Sequence, residues 1–259
     1  MSAFDWTTAS DEEVDLQYSP SRFALRPLDE YLNEYAELSR PYENVQLLQN
    51  GAPLLVYIHG GYWQRLSAAD SLFNAPDALA LGFSLHAVEY TLAPHATVAE
   101  IIEECITDIR QVINEAKPSR VVVAGCSAGA HLSAMCVRHP AIQPLVDGVA
   151  LLSGIYDVQP LVRTSTNDPL HLTIESARDI SPQLLPVAAA PPQALLAVGE
   201  HESSEFIRQN ATYGDYLTTC GSDVTISVIP NRDHFNLPYD LLRTGTVVGD
   251  WVINVLQGE

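Results

Sequence analysis

Arg120-Val121-Val122-Val123-Ala124-Gly125-Cys126-Ser127-Ala128-Gly129-Ala130-His131-Leu132-Ser133-Ala134-Met135 is the stretch on which the reading of this chain turns. The run from Val121 to Ala124 is short, apolar and β-branched, as a strand buried on both faces should be. The residues after Gly129 fit a helix. Between them Gly125-Cys126-Ser127-Ala128-Gly129 spells G-x-S-x-G, which puts a serine on a sharp, strained turn from strand to helix. Gly125 and Gly129 let the two elements approach closely, and the hydroxyl then projects from the edge of the sheet. Five residues alone recur by chance; strand before, helix after and matching parts elsewhere give them weight.

Upstream, Pro53-Leu54-Leu55-Val56-Tyr57-Ile58 is a second buried-strand pattern and runs straight into His59-Gly60-Gly61-Tyr62-Trp63. Acyl transfer by a serine places negative charge on a carbonyl oxygen, and fixed N–H donors must meet that charge. A glycine pair after a strand can present backbone amides with no Cβ in the way. Gly60 or Gly61, with Ala128 after the serine, is therefore the expected oxyanion hole. Tyr62 and Trp63 follow the glycines and are expected to line an aromatic acyl or leaving-group pocket.

Downstream the order serine, acid, histidine is expected. The strand pattern 193–198 ends in Gly199-Glu200-His201-Glu202-Ser203-Ser204-Glu205, where three carboxylates compete. The next, 224–229, ends in Pro230-Asn231-Arg232-Asp233-His234-Phe235, and His234 is the expected general base. His59 sits in the glycine loop and is expected to brace it; His131 lies on the helix after the serine. His86, His95, His139, His171 and His201 lack the strand-end setting.

Strand and helix patterns alternate along the chain, as a mainly parallel sheet with helices on both faces requires. Helices are expected over 67–81, 98–116, 205–219 and 237–256, with further strands over 84–90 and 149–154. In 98–116, Ile101, Ile102, Cys105, Ile109, Val112 and Ile113 recur at helical spacing. Right-handed crossovers would gather the strand ends on one edge, where Ser127 and His234 can meet. No linker divides the chain, so 1–259 reads as one α/β domain.

Three of these stretches, His59–Trp63, Gly125–Leu132 and Asn231–Phe235, together resemble the kynurenine formamidases (arylformamidases) of the α/β-hydrolase superfamily. Gln17-Tyr18-Ser19-Pro20-Ser21-Arg22 is similar to the N-terminal segment of that family. The stretch from Gly199 to Phe206 resembles its acid loop, which places the acid at Glu202 rather than Glu200. The chain departs from the pattern at Glu202, where aspartate is usual, and at Cys126, where histidine is common. Either carboxylate can hold a histidine, but the longer side chain changes the geometry. The fold implied is the α/β-hydrolase fold with a small cap, here expected over about 155–192, where prolines punctuate a weaker pattern. Tyr156, Asp157 and Asn167 are then candidate pocket residues.

Composition bounds the rest. The chain has 32 acidic and 13 basic residues and a net charge of −19. Nucleic acid is a poor partner for such a surface, and strongly anionic substrates would not be drawn in by it. Cys105, Cys126, Cys136 and Cys220 form no C-x-x-C pair, and no metal or other cofactor is implied. Cys105 and Cys136 fall in helical patterns and are expected in the core. There is no signal-peptide pattern and no apolar stretch of membrane-spanning length, so a cytoplasmic protein without membrane association is expected. Its oligomeric state is open, a homodimer included.

The resemblance implies hydrolysis of N-formyl-L-kynurenine to L-kynurenine and formate through an acyl-enzyme, with Trp63 beside a tight formyl site. The alternative in the same chemistry is a short-chain carboxylesterase. A third reading, a non-catalytic small-molecule receptor on the same fold, conflicts with the presence of every expected catalytic part.

Overall fold

A computed structural model describes residues 4–186 and 190–259. Along the chain the elements are α1 (Asp11–Gln17), α2 (Leu28–Ser39), β1 (Leu54–Ile58), α3 (Ala75–Leu81), β2 (Ser84–Val88), α4 (Val98–Ala116) and β3 (Val121–Cys126). There follow α5 (Ala128–Val137), β4 (Gly148–Leu152), α6 (Ile174–Asp179), β5 (Gln193–His201), α7 (Ser204–Thr219), β6 (Asp223–Asp233) and α8 (Val247–Gln257). The six strands form one parallel sheet in the order β2-β1-β3-β4-β5-β6. This is the α/β-hydrolase fold expected from the sequence.

Alternation along each strand divides the core in two. Leu54, Val56 and Ile58 of β1, with Val121 and Val123 of β3, face a layer built from α1, α4, α5 and α7. Leu55 and Tyr57, with Val122 and Ala124, face α2, α3 and α8. Helix α4 carries the expected apolar stripe, with Ile101, Cys105 and Ile109 fully buried, and Thr97 and Glu100 close a capping box at its start. Cys136 is fully buried on α5.

Two expected helices are shorter than their hydrophobic patterns. The 67–81 pattern holds only a single 3₁₀ turn before α3 begins at Ala75. Pro76 lacks an N–H and fits only in a first turn, so the helix starts beside it. The 237–256 pattern likewise opens as a 3₁₀ turn at Leu237–Asp240. Gly245 then takes φ +82, and α8 begins after Thr246, whose side chain accepts the Gly249 amide.

Register places the functional loops. Ile58 pairs with Gly125, Cys126 with Leu152, and Leu152 with Ala197. The loops that begin at His59, Ser127 and Ser153, together with Glu202 and His234, therefore leave the sheet at its carboxyl edge, where ligands of open parallel sheets bind.

Candidate active site

Ser127 takes φ 59 and ψ −122, a left-handed conformation rare for a residue with a Cβ. Its neighbours make the turn possible. A Cβ on Gly125 would lie 2.3 Å from the Gly129 carbonyl oxygen, and one on Gly129 would lie 2.0 Å from that of Ile58. Ser127 precedes α5 yet its hydroxyl caps no amide of that helix, which leaves it for the adjoining cavity. Ser127 donates its own N–H to Leu152 at 2.8 Å, pinning the turn to β4. Helix α5 opens at Ala128, so the Ala128 amide is one of the first-turn donors with no intrahelical acceptor.

The glycine loop lies against this turn. A Cβ on Gly60 would meet Cys126 O at 2.9 Å and the Ser127 Cβ at 3.2 Å. Gly61, Tyr62, Trp63 and Leu66 all have positive φ, a run of strain of the kind that gathers at functional sites. His59 braces the loop: Nδ1 lies 3.0 Å from the Gly60 carbonyl, and the ring stacks on Tyr90 at 4.1 Å. Tyr90 donates its hydroxyl to the His59 carbonyl at 3.0 Å. Burial lowers the His59 pKa to about 4, so this imidazole is neutral at pH 7.

His234 follows β6 directly. Its Nδ1 lies 2.7 Å from Glu202 Oε2, and both side chains are buried. With Nδ1–H directed at a carboxylate, Nε2 is left as the acceptor. Oε1 of Glu202 accepts the Gly199 amide at 2.8 Å and the Ser153 hydroxyl at 2.5 Å. Ser153, at the end of β4, was missed from sequence; a polar residue ending the strand beside the serine strand was the available signal. Glu200 is exposed and accepts the Asn231 amide at 3.1 Å, while Glu205 is buried against Arg208 at 2.7 Å. Of the three competing carboxylates, only Glu202 reaches the imidazole.

Ser127 and His234 share the lining of a cavity of about 310 Å³ with Gly60, Gly61 and Tyr62. Four expected pocket residues lie elsewhere. Trp63 is fully buried, its positive φ turning the indole into the core, edge-on to His131 at 5.0 Å. Tyr156 is fully buried and stacks on Tyr213 at 4.3 Å. Asn167 holds its own loop: it accepts the Leu172 amide at 2.7 Å and donates to the Leu172 carbonyl at 3.0 Å. Asp157 is also outside the lining and accepts the Gln159 amide at 3.0 Å.

Walls that sequence reasoning missed come from the N-terminal segment, including Tyr18, Leu28, Leu32 and Tyr35. Nothing local marks these residues as pocket-lining, because they reach it only by crossing the carboxyl edge of the sheet. Tyr62 donates its hydroxyl to the Tyr18 carbonyl at 2.5 Å. The 155–192 segment contributes Ser165 and Thr166, and the part of it at 187–189 lies outside the described residues. Gln64 donates to the Thr166 carbonyl at 2.9 Å, and Ser165 donates its amide to Asp15 at 2.9 Å. Arg163 pairs with Asp11 at 2.7 Å, so this segment and the N-terminal one clasp each other beside the cavity. Among the described residues no group of three His, Cys, Asp or Glu side chains is placed to hold a metal ion, and no helix is long and apolar enough to cross a membrane.

Residues 55–237 match a family model described as the alpha/beta hydrolase fold. A kynurenine formamidase of Danio rerio is 32% identical over 90% of this chain and 92% of its own length. A kynurenine formamidase of Salmo salar is 36% identical over 71% of this chain and 66% of its own. Among solved structures, a hyperthermophilic esterase of Pyrobaculum calidifontis superposes with a TM-score of 0.72 at 14% identity, covering 96% of this chain and 97% of that one, a likeness of fold alone.

Proposed function

The chain belongs to the α/β-hydrolase superfamily, among its kynurenine formamidase-like members, and from that premise we propose that it is a serine hydrolase that cleaves N-formyl-L-kynurenine to L-kynurenine and formate. The observation that carries this reading is the 2.7 Å contact between His234 and Glu202 at the cavity that Ser127 also lines.

In the proposed reaction Ser127 Oγ attacks the formyl carbon as His234 Nε2 takes the hydroxyl proton. Glu202 holds the imidazole in the tautomer that can accept this proton and stabilises the imidazolium that forms. The tetrahedral oxygen is met by N–H groups of Gly60 or Gly61 and of Ala128. The carbon–nitrogen bond then breaks, with the proton passing from His234 to the departing aniline nitrogen. Water, deprotonated by His234, attacks the formyl ester; the bond from carbon to Ser127 Oγ breaks, His234 returns the proton to that oxygen, and formate leaves. An aniline is a poor leaving group, so protonation by His234 matters more here than for a phenyl ester.

A short-chain carboxylesterase is the second reading, and one observation favours it. Trp63, the residue expected to restrict the acyl site to formyl, is buried away from the cavity. The test is kcat/KM for N-formyl-L-kynurenine against p-nitrophenyl acetate and butyrate, with Ser127→Ala as control. A preference for the formamide with loss of about 10³-fold or more in Ser127→Ala supports the proposal. Full turnover by Ser127→Ala would end the serine mechanism, and a preference for the esters would transfer the assignment to the second reading.

A further inference from the structure

Among the described residues four tyrosines line the cavity beside Ser127: Tyr18, Tyr35, Tyr57 and Tyr62. Three of them commit their hydroxyls to the protein. Tyr18 donates to Glu205 at 3.0 Å and accepts from Gln209 at 2.8 Å. Tyr35 donates to the Phe235 carbonyl, and Tyr62 to the Tyr18 carbonyl at 2.5 Å. The Tyr57 hydroxyl has no hydrogen-bond partner among the described residues. Tyr57 is only 3% exposed, and a phenol sealed in a core without a partner is costly. Trp63 Nε1 is a sealed atom of that kind, but the Tyr57 oxygen is not. It keeps open surface, and the space onto which it opens is the cavity that Tyr57 lines.

Packing rather than hydrogen bonding holds this ring in place. Phe73 meets it edge-on at 5.8 Å and itself stacks on Tyr35 at 5.0 Å. Tyr57 pairs across the sheet with Ala124, three residues before Ser127. At a strand rise of roughly 3.3 Å per residue, it stands about 10 Å behind the nucleophile. The hydroxyl is thus a fixed polar point deep in the cavity, among the rings of Tyr35, Phe73 and Phe235. Burial raises its pKa, so the phenol keeps its proton and can donate it.

In the reaction proposed above the acyl part is a single formyl group. Most of a cavity of about 310 Å³ is then left for the leaving group. Aromatic walls suit a flat ring, and a lone phenolic donor suits an acceptor carried on that ring. We propose that Tyr57 is a specificity residue, whose hydroxyl donates to a hydrogen-bond acceptor on the aromatic leaving group. This rests on the reading of the cavity as the substrate site. A ring without the acceptor would cover the phenol and leave it unpaired, so the site discriminates against it.

The test is equilibrium binding to the full chain, which needs no turnover. Ligand-observed NMR titration compares 2-aminoacetophenone with 2-isopropenylaniline, in which a methylene group replaces the carbonyl oxygen at nearly equal shape. Wild type is expected to bind the ketone about fivefold or more tightly than the alkene. In Tyr57→Phe that ratio is expected to collapse to within about twofold, through weaker binding of the ketone. The melting temperature should hold, since the hydroxyl bonds nothing in the protein. A preference that survives in Tyr57→Phe overturns the proposal, as does equal or undetectable binding of the two ligands by wild type. A lower melting temperature in Tyr57→Phe would assign the hydroxyl to the fold and overturn it as well. Turnover in Ser127→Ala tests the catalytic reading separately, so either can fail while the other stands.

Discussion

Tyr31 donates its phenolic hydrogen to Asp233 at 2.7 Å, and so ties the first long helix to the residue before His234. Asp233 also accepts the Leu25 amide at 2.7 Å and the amides of Phe235 and Asn236 at 2.9 Å each. Burial pushes its carboxyl upward in pKa, but these donors outweigh burial and hold it below the usual range. The histidine loop is thereby clasped from the N-terminal side, while Glu202 holds the imidazole from the other.

Tyr31→Phe keeps the ring that stacks on Phe235 at 5.5 Å and removes only the hydroxyl. A hydrogen bond to a charged acceptor is lost, and stability is expected to fall by about 2 kcal/mol. The midpoint of urea unfolding measures this. An unchanged midpoint would show that the clasp adds nothing to the fold.

Glu202→Gln should lower kcat by roughly 10²- to 10⁴-fold, since the amide cannot hold the imidazole in the same way. Glu200→Gln should stay within about twofold of wild type, because Glu200 is exposed and meets only the Asn231 amide and, at 4.0 Å, the His201 ring. Steady-state kinetics on one substrate distinguishes the two, and equal losses would return the choice of acid to open ground.

Gly129→Ala would place its Cβ 2.0 Å from the Ile58 carbonyl oxygen, inside backbone that cannot yield. A loss of about 3 kcal/mol or more is expected. At Gly221, φ is +93 but nothing lies within 4 Å of a new Cβ, so Gly221→Ala should lose only about 1–2 kcal/mol. Thermal melts of the pair read packing against conformational strain.

Burial lowers the pKa of His59 and of His131 to about 4 each, so both fold as neutral imidazoles. Between that value and the ordinary histidine pKa the unfolded chain binds more protons, so stability rises with pH across this window and falls on acidification. Each should account for about 2 kcal/mol lost between pH 7 and pH 5. Urea unfolding of wild type and His131→Asn at both values checks this. The variant should lose less than wild type on acidification, and parallel losses would show that His131 is not protonated on unfolding in this range.

The surface and the site obey different charge rules. A net charge of −19 argues against anionic ligands at long range, but among the described residues the cavity lining holds no aspartate or glutamate. Composition could not disclose this, because it counts charges without placing them.

What could be read before folding was what is local. The turn at Ser127 is decided by Gly125 and Gly129, four residues apart and in contact with each other, so the motif contains its own geometry. The sheet, too, was legible, because buried parallel strands are continuous apolar runs. Other features depend on groups far apart in the chain. Glu202 rather than Glu200 reaches His234 because β5 and β6 slip register between Gly199 and His201. Trp63 turned inward and Tyr18 became a wall because strand order and the N-terminal crossing settle which side chains face the cavity. Sequence determined the turn that presents Ser127 and the layering of the fold, since both rest on neighbours along the chain. The acid loop already pointed to Glu202, but the shape of the cavity was decided by packing between segments about two hundred residues apart, which no local pattern encodes.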